Sequence, residues 1–256
     1  MNHYNTPKSA NSKGLFPFWK KPGETLAVML RRFREEHGFG SEEKLTYAGR
    51  LDPMAEGIVP ILAGDARFQK EHYMNRSKTY EVEILLGIGT DTGDMLGLLR
   101  QNELAGFTRQ DLVQIEKAMK TLSETVSLPY PNYSSVLIDK KPAFVHARAG
   151  NTVVLPIKKV KIYTLELLNN REMKFGDLVA ETLAVIETVQ GDFRQREIIE
   201  QWQKLLNSDL SVQVVTIRAT VSSGTYMRAL AEKLGLLLKV PAVAYGIKRT
   251  NIEGIK

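Results

Sequence analysis

Tyr47-Ala48-Gly49-Arg50-Leu51-Asp52-Pro53 presents a single carboxylate on a stiff turn. Pro53 keeps Asp52 out of the helical region and leaves it extended, and Gly49 lets the chain bend sharply just before it. The residues that follow, Met54-Ala55-Glu56-Gly57-Ile58-Val59-Pro60-Ile61-Leu62, read as a turn running into a short buried strand. A carboxylate on a rigid loop that leads into a core strand is well placed to act on a substrate. The alternative is a turn carboxylate without chemistry, since Asp-Pro pairs are common turn formers.

On the N-terminal side, residues 1–13 are polar and read as a flexible tail, ahead of a short apolar segment at Leu15 to Trp19. Lys21-Pro22-Gly23 is a turn signal. A helical pattern then runs from Glu24 through Leu26, Met29, Leu30 and Phe33 to a stop at Gly38. On the C-terminal side, Thr79 to Ile88 alternates as a strand with Tyr80, Val82, Ile84 and Leu86 on one face. Thr108 begins an amphipathic helix with Leu112, Ile115, Met119 and Leu122 at helical spacing, opened by a loose capping box. Thr152 to Leu168 and Leu178 to Val189 read as two long strands. Phe193, Ile198, Trp202 and Leu205 mark another helix, Ser211 to Val221 a strand and Thr225 to Leu238 a helix. There is no strict β-α-β alternation and no phosphate-loop glycine pattern. The class is therefore α+β, built on a mixed, largely antiparallel sheet.

Composition narrows the function. The 256 residues are long enough for one large domain or two small ones, and with 43% hydrophobic and 25% charged residues a sizeable core needs no staples. The formal charge of +6 leans toward a polyanionic partner. With no cysteine, disulfides and thiolate metal sites are excluded. The four histidines, His3, His37, His72 and His146, are too scattered for a helical ligand pair, so no metal is expected. Asp91 and Asp94 lack a third clustered ligand and read as an Asx-type turn. The N-terminus has no apolar signal core and no run approaches a membrane span, so the expected compartment is the cytoplasm.

Gly49-Arg50-Leu51-Asp52-Pro53, with Gly57 and Gly64-Asp65-Ala66 behind it, resembles the catalytic loop of the TruB family of tRNA pseudouridine synthases. Three later stretches agree in order. Lys78-Thr79-Tyr80-Glu81-Val82, running into Thr90-Asp91-Thr92-Gly93-Asp94, is similar to the family's second motif. Tyr133-Ser134-Ser135-Val136, with Lys141 and Ala147-Arg148-Ala149-Gly150, resembles the third. Ser223-Gly224-Thr225-Tyr226-Met227-Arg228-Ala229-Leu230 resembles the arginine motif. The resemblance implies the pseudouridine synthase fold, a mixed central sheet flanked by helices with an active cleft across its middle. It also implies isomerisation of uridine in RNA, at uridine 55 in the T-loop of tRNA, by a monomer that binds the T-arm stem-loop.

That chemistry detaches uracil from its ribose, turns it and rejoins it through carbon 5, and the resemblance implies that it needs no cofactor. In the resemblance Asp52 is the catalytic carboxylate, open to attack on C1′ or C6 or to removal of the C2′ proton. Arg228 falls near the start of a helix, where the macrodipole disfavours a cation, so it calls for a nearby anion or is simply solvated. The resemblance pairs it with Asp52. Tyr80 is either a core tyrosine or, as the resemblance implies, the ring that stacks on the flipped base. Ile247 supplies an apolar wall beside the uracil or belongs to the core. Tyr47 and Arg50 flank Asp52 as RNA contacts, and Lys21, Lys78, Lys141, Arg148, Lys248 and Arg249 are candidate phosphate contacts.

The pattern also departs from the family. Tyr47 stands where histidine is usual, Leu137 where lysine is common, and Lys20 replaces an acidic neighbour of the Lys-Pro turn. Between Asn169 and Ser211 the chain is longer than the compact bacterial form. Because the chain ends at Lys256, residues 14–256 are expected to be a catalytic domain without the RNA-binding PUA domain. Two other functions fit less of the pattern. One is a tRNA-binding chaperone with secondary or lost catalysis, which the retained Asp52, Tyr80 and Arg228 oppose. The other is a guide-RNA-dependent assembly, which the expected lack of a PUA domain opposes.

Overall fold

Phe16 and Phe18 on strand β1 (Gly14–Lys20) meet Phe33 on helix α1 (Leu26–His37), with ring centroids 5.4 and 5.1 Å apart. The helix begins at Leu26 rather than Glu24 because Thr25 caps it, its Oγ1 accepting from Val28 N at 3.3 Å, and Gly38 ends it at φ 69°. The computed structural model describes residues 14–100, 109–208 and 210–255. The tail expected at 1–13 and Thr108 of the expected capping box lie outside them.

Strands β2 (Leu45–Tyr47) and β3 (Glu56–Ala63) flank the Asp52 turn and pair antiparallel. Helix α2 (Lys70–Met74) leads into β4 (Lys78–Leu86). Then come α3 (Leu112–Leu122), β5 (Glu124–Pro129), the small hairpin β6 (Leu137–Ile138) and β7 (Lys141–Pro142), and α4 (Ala143–Arg148). Strand β8 (Ile157–Lys174), helices α5 (Phe175–Ile186) and α6 (Gln195–Gln203), β9 (Ser211–Val221), α7 (Met227–Leu238) and β10 (Ala242–Ile252) follow. The described residues form one eight-stranded sheet in the order β1-β3-β10-β4-β9-β8-β5, with β2 on β3. Every pairing is antiparallel except the short parallel contact of β10 with β3.

The period-2 alternation of the central strands separates two cores. Tyr80, Val82 and Ile84 on β4, with Val215, Ile217 and Ala219 on β9, pack against α3 and α7. Leu85, Val214 and Val243 face the other way, onto α5 and α6. On α7 the buried positions Met227, Leu230, Ala231, Leu234 and Leu238 recur at helical spacing.

Two departures from the sequence reading have physical causes. Leu178 to Val189 is not a strand; Phe175, Leu178, Val179, Thr182, Leu183 and Ile186 are buried at helical spacing on α5. Its β-branched residues fill a stripe facing the sheet, so tertiary packing overrides their strand preference. Strand β10 was not anticipated, because Gly246 at a register shift and the polar run Lys248-Arg249-Thr250-Asn251 hide its alternation. It is nonetheless central. Its parallel contact sets Arg249 beside Gly57, whose φ is 124° and where an added Cβ would stand 2.3 Å from the Arg249 carbonyl oxygen. Only glycine admits that approach.

Candidate active site

The Asp52 turn is held from beneath by two buried cations. Lys20 Nζ donates to the carbonyls of Ala55 (2.6 Å), Pro53 (3.1 Å) and Lys21 (3.1 Å). Arg249 donates through Nε to Ile58 O (2.7 Å), through Nη2 to Gly49 O (3.1 Å) and through Nη1 to Arg50 O (3.2 Å). Together they donate to carbonyls of the loop and of the start of β3, tying the turn to the protein beneath it. Gly23 N donates to Pro53 O and Ala48 N to Pro60 O, both at 2.9 Å. Burial pushes the Lys20 ammonium down to about 8, against the attraction of Glu24 and Asp52.

On this base Asp52 faces Arg228, the second residue of α7. Arg228 Nε donates to Asp52 Oδ2 at 2.8 Å, and Oδ1 takes no hydrogen bond from the described residues. The Asp52 side chain is 36% exposed and that of Arg228 only 3%. The remaining arms of the guanidinium are also engaged. Nη1 donates to Thr92 O (2.7 Å), Nη2 to Tyr133 O (3.1 Å), and Asp94 Oδ2 lies 3.7 Å from Nε. One guanidinium thereby joins the four separated stretches of sequence around 52, 92–94, 133 and 228. Burial alone would lower the pKa of Arg228, but Asp52 and then Asp94 outweigh it and hold it above its ordinary value.

Asp94 was read from the sequence only as half of a turn. The Asx-type bonds are present: Oδ1 accepts from Leu96 N (3.0 Å) and Thr92 Oγ1 (2.8 Å). Its approach to Arg228 was not anticipated, and its place beside Gly93 in Thr92-Gly93-Asp94 is the signal that could have suggested it. Burial pushes its carboxyl up to about 6, opposed by Arg228 and reinforced by Asp52. A raised native pKa means that folding favours the protonated form. The contribution of Asp94 to stability is thus fully present below the unfolded value near 3.8 and is lost as pH rises through about 6. Asp94→Asn should remove that dependence. Urea unfolding at pH 4, 5, 6 and 7 checks it: an unchanged difference between variant and parent across the series would refute it.

The cleft in front of these groups has a volume of about 620 Å³. Asp52, Tyr80, Arg228, Tyr47, Arg50, Lys78, Arg148, Ile247 and Arg249 all line it. Tyr80 and Ile247 sit on neighbouring strands as nearly buried walls, Arg50 is exposed at the mouth, and Lys70 Nζ lies 5.6 Å from the centre of the Tyr47 ring. Lys78 and Arg249, expected to meet phosphate, point their charges into the protein instead. Lys78 Nζ donates to Arg76 O (2.6 Å) and Met74 O (2.9 Å), closing the end of α2, and burial pushes it down to about 8. Lys21, Lys141 and Lys248 do not line the cleft. Lys21 and Lys141 are exposed. Lys248 alternates to the opposite face of β10, 3.9 Å from Glu56 and above the Trp19 ring. Phe193 and Arg194, ahead of α6, line the cleft although the sequence reading assigned them no part in it. Among the described residues no group of three or more acidic or histidine side chains is placed to hold a metal ion, and no helix is long and apolar enough to cross a membrane.

Comparison with known proteins places this architecture. The model of the TruB family pseudouridylate synthase N-terminal domain matches residues 37–181, more than half of the chain. The chain belongs to the TruB family. It is 31% identical over 208 residues to tRNA pseudouridine synthase B of Geobacillus thermodenitrificans, covering 81% of this chain and 57% of that protein. With the protein of the same name from Listeria monocytogenes it is 28% identical over 239 residues, covering 93% and 66%. The chain thus spans about three-fifths of the length of these curated relatives. Its fold is shared with a chain in the crystal structure of a Cbf5-Nop10-Gar1 complex, at a TM-score of 0.57 and 17% identity over 93% of this chain and 48% of that one.

Proposed function

We propose that this chain isomerises uridine to pseudouridine in tRNA, at uridine 55 of the T-loop, acting as a monomer on the T-arm. The observation that carries the reading is the Asp52–Arg228 pair at 2.8 Å, on the floor of a cleft large enough for one flipped nucleoside. The rearrangement is redox-neutral: the C1′–N1 bond breaks, a C1′–C5 bond forms, and a proton leaves C5 while N1 gains one. A carboxylate acting as nucleophile or base suffices, and Asp52 is the group in position. Arg228 orients it by a charge-assisted hydrogen bond. Tyr80 offers a ring face to the base and Ile247 an apolar wall, which is how a flipped base is gripped. Arg50 and Arg148 at the cleft, within a chain of net charge +6, suit the phosphates on either side.

The relatives named tRNA pseudouridine synthase B favour this substrate over other RNAs. Mapping pseudouridine in total tRNA from cells with and without the gene tests it. Loss of the modification at the T-loop position alone is the expected result, and an unchanged tRNA profile would sink the proposal.

A further inference from the structure

Residues 132–150 project Tyr133 and Arg148 toward the cleft yet have almost no core of their own. Among them only Ser134 and Ala143 are buried, and the bonds within the stretch are local: the β6–β7 pair, the turn of α4, Ala143 N to Val136 O at 2.8 Å, Phe144 N to Ser134 O at 3.1 Å and His146 Nε2 with Ile138 O at 3.0 Å. The Tyr133 carbonyl accepts from Arg228 Nη2, so the placement of this residue bears on the site. Groups that reach the stretch come from the turn between α5 and α6, some fifty residues later and beyond the stretch matched by the family model.

That turn is rigid. Arg194 adopts φ 61° and ψ 28°, unusual for a residue with a side chain. Arg194 N donates to Asp192 Oδ1 (3.3 Å), Phe193 N to Gln195 Oε1 (2.8 Å), and Gln195 Nε2 to the carbonyls of Gly191 (2.7 Å) and Val189 (2.9 Å). Helix α6 behind it is anchored to the segment after Asp94, Trp202 Nε1 donating to Gly97 O (3.3 Å) and Leu99 N to Gln201 Oε1 (2.8 Å).

From this base two contacts cross to residues 132–150. Arg194 Nη1 donates to Asp91 Oδ2 at 2.7 Å, while its guanidinium lies 4.4 Å above the centre of the Tyr133 ring. Asp192 holds Arg148 through both its carboxylate, at 3.4 Å, and its backbone carbonyl. A cation stacked on an aromatic face and locked by a carboxylate is a directional tie. Contacts then run without a break from Arg194 to Tyr133, from Tyr133 to Arg228 and from Arg228 to Asp52.

We propose that Asp192 and Arg194 are positioning residues: by gripping Arg148 and Tyr133 they hold residues 133–148 against the cleft, so that the Tyr133 carbonyl stays on Arg228 and Arg228 stays aimed at Asp52. The inference rests on the isomerase reading for its effect on rate, but its structural half stands apart from it. Neither side chain touches the reacting carboxylate, so their loss should act through geometry, where small displacements are costly.

The test combines hydrogen exchange with kinetics on the purified chain. In Arg194→Ala, amide exchange across 133–148 should quicken by roughly ten-fold while the sheet strands exchange as before. With a tRNA transcript, kcat should fall by roughly ten-fold with KM little changed. Arg194→Lys, which keeps a cation for Asp91, should recover part of both. Asp192→Asn, at an exposed position, should show a smaller change of the same kind. Wild-type exchange at 133–148 in Arg194→Ala overturns the proposal, as does faster exchange spread over the whole chain or an unaltered kcat. If the parent chain forms no pseudouridine, the isomerase reading falls, while the exchange comparison still decides whether this turn holds the segment.

Discussion

Asp52→Asn should reduce pseudouridine formation by at least roughly 10³-fold, the scale on which enzymes lose rate when the bond-making group is removed. The change is nearly isosteric. The amide oxygen can still accept from Arg228 Nε, now at 2.8 Å from Oδ2, so the turn keeps its shape. Lys20 and Arg249 hold the loop through backbone carbonyls and do not depend on this side chain. Stability should therefore change by no more than about 1 kcal/mol, as for most partly exposed substitutions. What is lost is the negative charge and the lone pair that can attack or remove a proton. Arg228 would then be balanced by Asp94 alone among the carboxylates near it. Turnover on a tRNA transcript, followed by nucleoside analysis, measures the effect, and mass spectrometry of the variant guards against deamidation back to aspartate. Activity within ten-fold of the parent would remove Asp52 from the chemistry.

Much of this site is legible in the sequence because its parts are local. Pro53 and Gly49 announce the turn, the alternation from Thr79 places Tyr80, and helical spacing after Met227 places Arg228 in the first turn of α7. An arginine at a helix start is a misfit that points to a neighbouring anion, and in the fold two carboxylates stand beside it. The illegible parts are those set by distant partners. Lys78 and Arg249 read in sequence as candidate phosphate contacts, and Lys20 only as a substituted neighbour of the Lys-Pro turn. Their burial makes sense only once the carbonyls around 49–58 and 74–76 are gathered beneath the cleft. The turn that carries Arg194 follows α5, a helix in a stretch that reads in sequence as a strand. Strand β10, interrupted at Gly246, carries too little alternation to be seen, although it supplies both Ile247 and Arg249.

Arg228→Met should cost both activity and stability, and the two losses are separable. Removing one partner of a buried ion pair leaves its counterion uncompensated, at about 3–5 kcal/mol. Here the stranded group is Asp94, which is buried, whereas Asp52 can turn part of its surface to water. The carbonyls of Thr92 and Tyr133 would also lose their donors. Without the guanidinium, burial and Asp52 would push the Asp94 carboxyl further above its present value near 6. The native state would then hold the proton to higher pH, so the destabilisation should be smaller at pH 5 than at pH 7.5. Urea unfolding at the two values reads this directly. In the double variant Arg228→Met, Asp94→Asn, much of the stability at pH 7.5 should return because the stranded buried carboxylate is gone. Activity should not return, since Asp52 would still lack the cation that orients it. Arg228→Lys should keep the charge balance but recover activity only in part, because an ammonium cannot bond Asp52, Thr92 and Tyr133 in the fixed plane of a guanidinium. A double variant that regained activity together with stability would show that Arg228 serves the fold alone. Loss of both in Arg228→Met, with stability alone restored in the pair, would show that one residue closes the core and aims the carboxylate.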